Sequence, residues 1–386
     1  MAPPLEGVRI LDLSRLLPGP FCTLLLAELG ADVVAIEDPR GGEMLRHLPP
    51  RLGEAGSAAF HALFRNKRSV ALDLRTPPGK RAFFALLGGA DVVLEGFRPG
   101  VMERLGLDYD ALSAARPEIV LCSISGFGQS GPDAKRAGHD LGYQARAGLL
   151  GYAGERHGRT ESWPGVQIAD VAGGSLFGAL AILAALRERD RTGRGRHLDI
   201  SMTEGAAALL HLHLARAFAS GHPLARGGEP LNGRYPCYGL YRTSDGRQMA
   251  LSALEPKFWS AFCSAVQRPD LEARAYERAA IGELEELFAA RDFAHWCELS
   301  RRIDACLEPV WEGDELLADP QHLARGLFYE FPDDRAPGGS VASLRLALPF
   351  ERREARPPPG LGEHTEALLR EAGVDEDTLR AILAPN

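Results

Sequence analysis

Alternating strand-like and helix-like segments fill the first hundred residues, and this pattern constrains the fold more than any other feature of the chain. The apolar run at residues 8–13 is followed by a helix-like segment at 21–29 and by a second apolar run at 32–37. A near-continuous apolar strand is typical of a parallel sheet that is covered on both faces. Two such strands joined by a helix form a right-handed β-α-β unit. The repeated unit predicts an open, Rossmann-like α/β sheet.

The same pattern continues with predicted strands at residues 69–74, 91–95 and 118–122. Between the first two of these, Thr76 is a typical helix N-cap and Pro77 suits the first helical position. Pro18-Gly19-Pro20 is read as the break between the first strand and the first helix. Neither a Gly-x-Gly-x-x-Gly turn after the first strand nor a Walker loop is present, so the sheet is not expected to bind a dinucleotide.

The sequence changes character after about residue 225. Segments 239–243 and 248–252 flank Asp245-Gly246, which is a strong signal for a β-hairpin. Helix-like segments follow it. We therefore predict a large Rossmann-like domain at residues 1–200, a linker-helix region at 201–228, a small α+β domain at 229–325, and a return linker with C-terminal helices at 326–386.

Composition narrows the classes of function. The chain has 44 Lys and Arg against 52 Asp and Glu, a net charge of −8, which disfavours nucleic acid as a partner. The six cysteines form no CxxC pair, which predicts reduced thiols in a cytoplasmic protein without a structural zinc site. The N-terminus does not resemble a secretory signal. The apolar run at 171–186, interrupted by Gly173-Gly174, is predicted to be a buried helix too short to span a membrane.

Three segments place ionisable side chains near the ends of predicted elements. They carry His139 beside Asp140, Asp170 before the apolar helix, and Glu255 before Pro256. A histidine titrates near neutral pH, and burial tunes a carboxyl group toward the same range, so such groups suit proton transfer. Each also has a structural interpretation, because Asp140 and Asp170 are typical helix caps and Glu255-Pro256 is a typical helix start.

A set of ordered motifs extends this interpretation over nearly the whole chain. The motifs are residues 7–13, Pro18-Gly19-Pro20, and residues 29–33, 65–69, 95–100, 125–129 and 362–365. Together they resemble the CaiB/BaiF family of class III CoA-transferases, and within it the α-methylacyl-CoA racemase branch. The resemblance implies ring-like chains that interlock as a homodimer. It also implies an active site with His139 and Asp170 from one subunit and Glu255 from the other.

The resemblance also implies where coenzyme A contacts the chain. The implied contacts are Leu72, Asp73, Leu74, Arg75, Gly96, Phe97, Arg98, Arg104, Gly138, Asp140 and Tyr143. Coenzyme A is part of the substrate, so no separate cofactor or metal is expected. One position departs from the family: many relatives carry a basic residue where this chain has Asp38, and Arg40 is the candidate substitute.

Three functions remain open at this point. In α-carbon epimerisation of a 2-methylacyl-CoA, His139 and Asp170 would exchange the α-proton through an enolate while Glu255 orients His139. Backbone N–H groups near Asp170 would then hold the enolate oxygen, and Gly173-Gly174 would allow a close approach of the backbone. In CoA transfer between carboxylic acids, Asp170 would attack the thioester. The third function is acyl-CoA binding without catalysis.

Overall fold

The computed structural model describes residues 2–154, 164–350 and 354–384, which divide into two compact units. The first unit consists of Met1–Ala147, Val166–Leu209 and Ala324–Asn386. The second consists of Gly148–Gly165 and Leu210–Leu323. Residues 148–165, which the sequence-based division placed in the large domain, group with the second unit.

Six parallel strands form the sheet of the first unit. They are β1 (Arg9–Asp12), β2 (Asp32–Glu37), β3 (Arg68–Ala71), β4 (Val92–Glu95), β5 (Val120–Ser125) and β6 (His197–Ser201). Their spatial order is β3-β2-β1-β4-β5-β6, so the chain reverses direction across the sheet between β1 and β4. In open α/β sheets, ligands bind at the carboxyl ends of the strands beside such a reversal. The prediction of a Rossmann-like α/β sheet is confirmed.

Helices on both faces complete this unit. They are α1 (Pro18–Glu28), α2 (Ala58–Phe64), α3 (Pro77–Leu87), α4 (Val101–Leu105), α5 (Tyr109–Ala115) and α6 (Asp140–Arg146). The predicted cap of α3 is confirmed, because the Thr76 hydroxyl accepts the N–H of Gly79 at 3.2 Å. The first strand ends before Pro18-Gly19-Pro20, but the predicted helix start at Phe21 is wrong. These three residues form the first turn of α1, where a proline does not remove a needed N–H.

The apolar run after Asp170 forms a longer helix than predicted. A π-helical segment, Ala169–Leu176, leads into α8 (Phe177–Thr192). Within the described residues this is the one helix, 24 residues in all, that is long and apolar enough to cross a membrane by length and composition. Half of its most apolar stretch is buried, while Leu176 and Leu180 are 48% and 62% exposed. The expectation that this helix is interrupted and too short to span a membrane is therefore wrong, because the helix continues through Gly173-Gly174, and the expected burial holds for half of the stretch.

Helices α9 (Met202–Ala208), α16 (Thr365–Glu371) and α17 (Glu376–Leu383) also belong to the first unit. The last two pack their leucines into the core that lies between the sheet and α3. A two-stranded antiparallel hairpin, β10 (Phe328–Pro332) with β11 (Ser340–Leu344), forms a separate small sheet.

The second unit is a small antiparallel sheet with helices. Strands β7 (Tyr238–Arg242) and β8 (Gln248–Ser252) pair as the predicted hairpin, and β9 (Leu307–Pro309) adds a third strand. Gly246 adopts φ +84° in the turn, which explains the Asp-Gly signal. The helices are α7 (Leu149–Tyr152), α10 (His211–Ser220), α11 (Pro256–Ala265), α12 (Ile281–Ala289), α13 (Phe293–Arg302), α14 (Glu315–Ala318) and α15 (Pro320–Ala324), whose last residue joins the first unit. Aromatic rings fill its core, with Phe288 and Trp296 stacked at 4.2 Å.

Candidate active site

A carboxylate joins the two segments that carry His139 and Asp170. Oδ1 of Asp140 accepts the backbone N–H of Ala169 at 2.8 Å and that of Asp170 at 3.1 Å. His139 is the residue directly before Asp140, and it precedes the first turn of α6. The fold therefore brings the residue that follows His139 to the backbone of Asp170 within one unit, although 30 residues separate His139 from Asp170 in the sequence.

This geometry corrects both capping interpretations. Asp140 is the first residue of α6, and its side chain reaches away from α6 to the N–H groups at the start of the π-helical segment. Asp170 lies inside that segment and does not cap it. The Gln144 amide donates to Oδ2 of Asp140 at 2.5 Å and fixes the carboxylate from its own helix. Asp140 is thus a cap supplied from elsewhere in the fold.

The electrostatic environment of Asp170 is unusual for an aspartate. Burial, together with the negative charge of Asp140, raises the pKa of Asp170 to about 7. Among the described residues no hydrogen-bond donor contacts its carboxyl group, so nothing offsets the cost of ionising it there. A carboxyl group that populates both protonation states at neutral pH is suited to act as an acid, as a base, or as a nucleophile.

The glycines after Asp170 allow the π-helical segment to pack directly on α9. A Cβ on Gly173 would lie 2.5 Å from the carbonyl oxygen of Met202, and one on Gly205 would overlap the backbone of Gly173. The sequence predicted that another group would approach the backbone at Gly173-Gly174 closely. At Gly173 that group is another helix of the same unit, α9. π-Helical turns inside α-helices are frequent at functional sites.

Tyr143 forms a wall of the same region. Its side chain is 7% exposed, and its ring stands edge-on to Phe127 at 5.3 Å. Gly138 has no room for a side chain, because a Cβ would lie 2.5 Å from that ring, and Gly126 is constrained in the same way. Burial raises the pKa of the Tyr143 hydroxyl, and the Asp170 carboxylate adds to this shift. Gly126, which sequence reasoning did not assign to the site, is required by the tyrosine.

The backbone N–H groups beside Asp170, which were expected to hold an enolate oxygen, already have acceptors. The N–H groups of Ala169 and Asp170 already bond to Asp140. Within the described part of the chain, the N–H groups of Asp140 and Leu141 in the first turn of α6 have no acceptor. They follow His139 directly, and the first turn of a helix leaves such N–H groups without a partner inside the helix.

Two predicted coenzyme A segments follow the carboxyl ends of β3 and β4. Leu72 is buried, and its N–H donates to the carbonyl of Glu37 at 2.9 Å. Leu74 packs on the core beside it. Arg75 donates from two nitrogens to the two oxygens of Asp73, at 2.8 and 2.6 Å.

Arg40 pairs with Asp38 in the same two-pronged way, at 3.0 and 2.7 Å. The Arg40 guanidinium lowers the pKa of Asp38 to about 2, and the charge of Arg75 contributes as well. The two Asp-x-Arg pairs thus form one charged cluster at neighbouring strand ends. The acidic residue that departs from the family is neutralised by Arg40.

The second segment contains Gly96, Phe97 and Arg98. The N–H of Phe97 donates to the Glu95 carboxylate at 2.6 Å, and the guanidinium of Arg15 lies 5.6 Å from the centre of the Phe97 ring. Arg15 is a cation that sequence reasoning did not select, although it follows β1 closely at the same edge of the sheet. Arg98 lines a cavity of about 300 Å³, and Arg104 is exposed on α4.

Glu255 lies in the second unit. It immediately precedes α11, and Pro256 occupies the first helical position as predicted. Its carbonyl accepts the N–H of Phe258 at 3.0 Å, while its side chain is exposed and makes no capping bond. Across the described residues of both units, no group of three or more His, Cys, Asp or Glu side chains is arranged to hold a metal ion.

The sequence and the fold of this chain are similar to those of proteins named as CoA-transferases and racemases. The profile of CoA-transferase family III matches residues 5–365. The chain is 35% identical over 382 residues to human alpha-methylacyl-CoA racemase, covering 97% of this chain and 95% of that protein. It is 32% identical over 383 residues to human succinyl-CoA:glutarate CoA-transferase, covering 95% and 86% of the two chains. A crystal structure of a CaiB/BaiF family protein from Brucella suis superposes with a TM-score of 0.81 at 31% identity, covering 96% of this chain and all of that one.

Proposed function

Because this chain belongs to CoA-transferase family III, we propose that it acts on an acyl-CoA thioester, and specifically that it is an α-methylacyl-CoA racemase. The observation that carries the proposal is the bond from the Asp170 N–H to Asp140, which holds Asp170 beside the segment of His139. Inverting a carbon centre requires a base on one face and an acid on the other, and these two residues supply that pair.

The proposed reaction is a proton exchange through an enolate. One member of the pair removes the α-proton, the thioester carbonyl takes up the negative charge, and the other member returns a proton to the opposite face. The free N–H groups of Asp140 and Leu141 would hold the enolate oxygen, since the first turn of a helix stabilises negative charge. The raised pKa of Asp170 makes its carboxylate a stronger base toward the α-proton and leaves the protonated form populated near neutral pH.

Coenzyme A would bind along the strand ends. Arg75 and Arg40 are matched to phosphate groups, because a guanidinium binds oxyanions with two parallel hydrogen bonds. Both are held in place by their aspartates, so little side-chain entropy would be lost on binding. The Phe97 ring and Arg98 would contact the rest of the coenzyme, with Arg104 contributing charge from α4.

We also propose a homodimer in which Glu255 of one subunit orients His139 of the other. Leu176 at the end of the π-helical segment, with Phe177 and Leu180 on α8, exposes apolar side chains that favour contact with another protein surface. Mixing Asp170→Asn protein with Glu255→Gln protein tests this. Activity that returns in the mixture, after subunit exchange, is expected; two variants that remain inactive together contradict a shared site.

The central experiment is exchange of the α-proton in deuterated water. Wild-type protein is incubated with a panel of (2R)- and (2S)-2-methylacyl-CoA esters, and α-deuterium is measured by mass spectrometry. We expect incorporation with both epimers, and a loss of at least a hundredfold for His139→Gln and for Asp170→Asn. Asp377→Asn, on the exposed face of α17, is the matched control. Failure of every ester to exchange would contradict the racemase function.

CoA transfer is the second candidate, since identity to the transferase is nearly as high as to the racemase. Here the Asp170 carboxylate attacks the thioester carbonyl, forms a mixed anhydride and expels CoA thiolate. The thiolate attacks the aspartyl carbonyl of the anhydride, which gives an aspartyl-CoA thioester and releases the donor carboxylate. The acceptor carboxylate then attacks this thioester, and the expelled CoA thiolate attacks the acceptor's carbonyl in the new anhydride, which releases Asp170. Trapping Asp170 as its hydroxamate with hydroxylamine, in the presence of succinyl-CoA, would favour this function. Coenzyme A binding with neither exchange nor trapping would favour a non-catalytic member.

All six cysteines are free thiols, which supports the proposed cytoplasmic location.

A further inference from the structure

Glu95 is a buried carboxyl group that the proposed reaction does not use. It is the last residue of β4, it is 2% exposed, and it directly precedes the segment Gly96–Arg98. Its Oε2 accepts the N–H of Phe97 at 2.6 Å, which closes a tight turn over the end of the strand. Glu95 therefore determines how this segment leaves the sheet.

The hydroxyl of a neighbouring strand also acts on Glu95. The parallel register places Ser123 of β5 opposite Glu95, and the Ser123 hydroxyl favours the ionised carboxylate. Oγ of Ser123 lies 2.9 Å from Nε2 of His197 on β6. That contact fixes the position of the hydroxyl beside the end of β4.

The charged groups near Glu95 do not offset the negative charge of its carboxylate. Glu103 of α4 and Asp199 of β6 are negative neighbours, and the Cys122 thiol lies beside it on β5. Arg98 lines the same cavity but makes no ion pair with Glu95 in the described residues. Burial, opposed in part by the Ser123 hydroxyl and by the bond from the Phe97 N–H, raises the pKa of Glu95 to about 7. The carboxyl group of Glu95 therefore changes its charge near neutral pH.

We propose that Glu95 is a positioning residue: its ionised carboxylate holds the Gly96–Arg98 turn in the conformation that presents Phe97 and Arg98 to coenzyme A, and protonation weakens that hold. The proposal rests on the proposed function, which assigns coenzyme A to this segment. A carboxylate accepts a hydrogen bond more strongly than a neutral acid does, so the turn is best ordered above the midpoint of the titration. Affinity for coenzyme A should then rise as the pH increases from 6 to 8.

The test is calorimetric titration of the full-length protein with free coenzyme A between pH 6 and pH 8.5. Wild-type affinity is expected to increase about fivefold to tenfold over this range beyond the effect of phosphate ionisation, the difference between a charged and a neutral hydrogen bond. Phosphate ionisation acts equally on wild type and variants. Glu95→Gln should bind with the weak affinity of the acid form at every pH. In turnover, Glu95→Gln should raise KM and leave kcat nearly unchanged, because Glu95 does not touch the reacting atoms.

Two further variants separate positioning from a general effect of charge. Glu103→Gln removes a negative neighbour without touching the turn, so the pH step should persist with its midpoint at lower pH. Ser123→Ala removes the hydroxyl that favours the ionised carboxylate, so the midpoint should move to higher pH, and this readout remains if Glu95→Gln does not fold. The inference is overturned, and the proposed function stands, if the rise of affinity with pH is unchanged in Glu95→Gln or if its midpoint does not move in Ser123→Ala. If the folded wild type binds no coenzyme A, the proposed function falls instead.

Discussion

The backbone N–H of Asp170 donates to Oδ1 of Asp140 at 3.1 Å, so the residue that follows His139 holds the proposed partner of His139 in place. The same carboxylate supplies a negative charge that helps to raise the pKa of Asp170. One side chain thus holds the second proposed catalytic group in place and adds to the effect of burial on its acidity.

Asp140→Asn should separate these two roles. Its amide oxygen can still accept the N–H groups of Ala169 and Asp170, but the negative charge is gone, so the pKa of Asp170 should fall. We expect the acidic limb of the pH profile for α-deuterium exchange to move to lower pH. Asp140→Ala also loses the bonds and should reduce kcat at least tenfold. An acidic limb that does not move in Asp140→Asn would argue against the electrostatic role.

The pH profile should also distinguish the two candidate reactions. In either direction of epimerisation, His139 and Asp170 must hold one proton between them, so kcat/KM for both epimers should follow the same bell-shaped curve, with a limb near pH 7. A nucleophilic Asp170 needs only its ionised form. Transferase activity should therefore rise through pH 7 and stay high. Initial rates from pH 5.5 to 9, with each epimer and with succinyl-CoA as donor, provide the comparison.

Asp170→Asn should stabilise the protein at alkaline pH. The pKa of Asp170 lies above its ordinary value of 3.8, so the native state favours the protonated form. That stabilising contribution is complete below about pH 4 and is lost as the pH rises through 7. The neutral amide keeps it, so we expect a gain of about 1–3 kcal/mol in the free energy of unfolding at pH 8 and almost none near pH 4.

Urea unfolding at fixed protein concentration measures this difference. Asp377→Asn, which removes an exposed carboxylate, is the control and should change stability little at either pH. A gain for Asp170→Asn that is equal at both pH values would show that packing, not ionisation, is responsible.

Gly173→Ala should disturb the site through packing. The added methyl group would lie 2.5 Å from the Met202 carbonyl oxygen, so α9 and the π-helical segment must move apart. We expect a loss of about 1–3 kcal/mol in stability and a marked loss of exchange activity, because Asp170 lies in that segment. Gly282→Ala, in α12 where a Cβ meets nothing within 4 Å, is the matched control. Thermal unfolding and exchange assays on both variants test this, and equal behaviour would contradict it.

Lys67→Met should destabilise the first unit strongly. The ammonium group is fully buried and bonds to the Thr23 hydroxyl at 2.7 Å and the Pro20 carbonyl at 2.9 Å, with Asp12 at 3.4 Å. Removing the cation leaves the Asp12 carboxylate buried without its charge partner, which costs about 3–5 kcal/mol. Lys135→Met, at an exposed position, should have little effect. Urea unfolding decides the point, and a loss below about 1 kcal/mol for Lys67→Met would contradict it.

Much of this architecture follows from local sequence. The apolar runs of β1 and β2 can be buried only in a covered parallel sheet, Thr76-Pro77 specifies a helix start, and Asp245-Gly246 specifies a hairpin turn. These signals act over a few residues, so they specify the same local structure whatever the distant packing is. The resemblance to the family, likewise, made residues 139 and 170 candidates for catalysis without any knowledge of their environment.

Local sequence could not determine which carboxyl group caps which helix. Asp140 and Asp170 carry identical side chains before apolar segments, and only the folding of α6 against the π-helical segment places the first on the N–H groups of the second. The same packing buries Asp170 and shifts its pKa, because desolvation depends on neighbours that are distant in the chain. Short-range signals in the chain thus specify the helices and strands and supply the candidate reactive groups, whereas packing between distant segments sets their hydrogen-bond partners and their protonation.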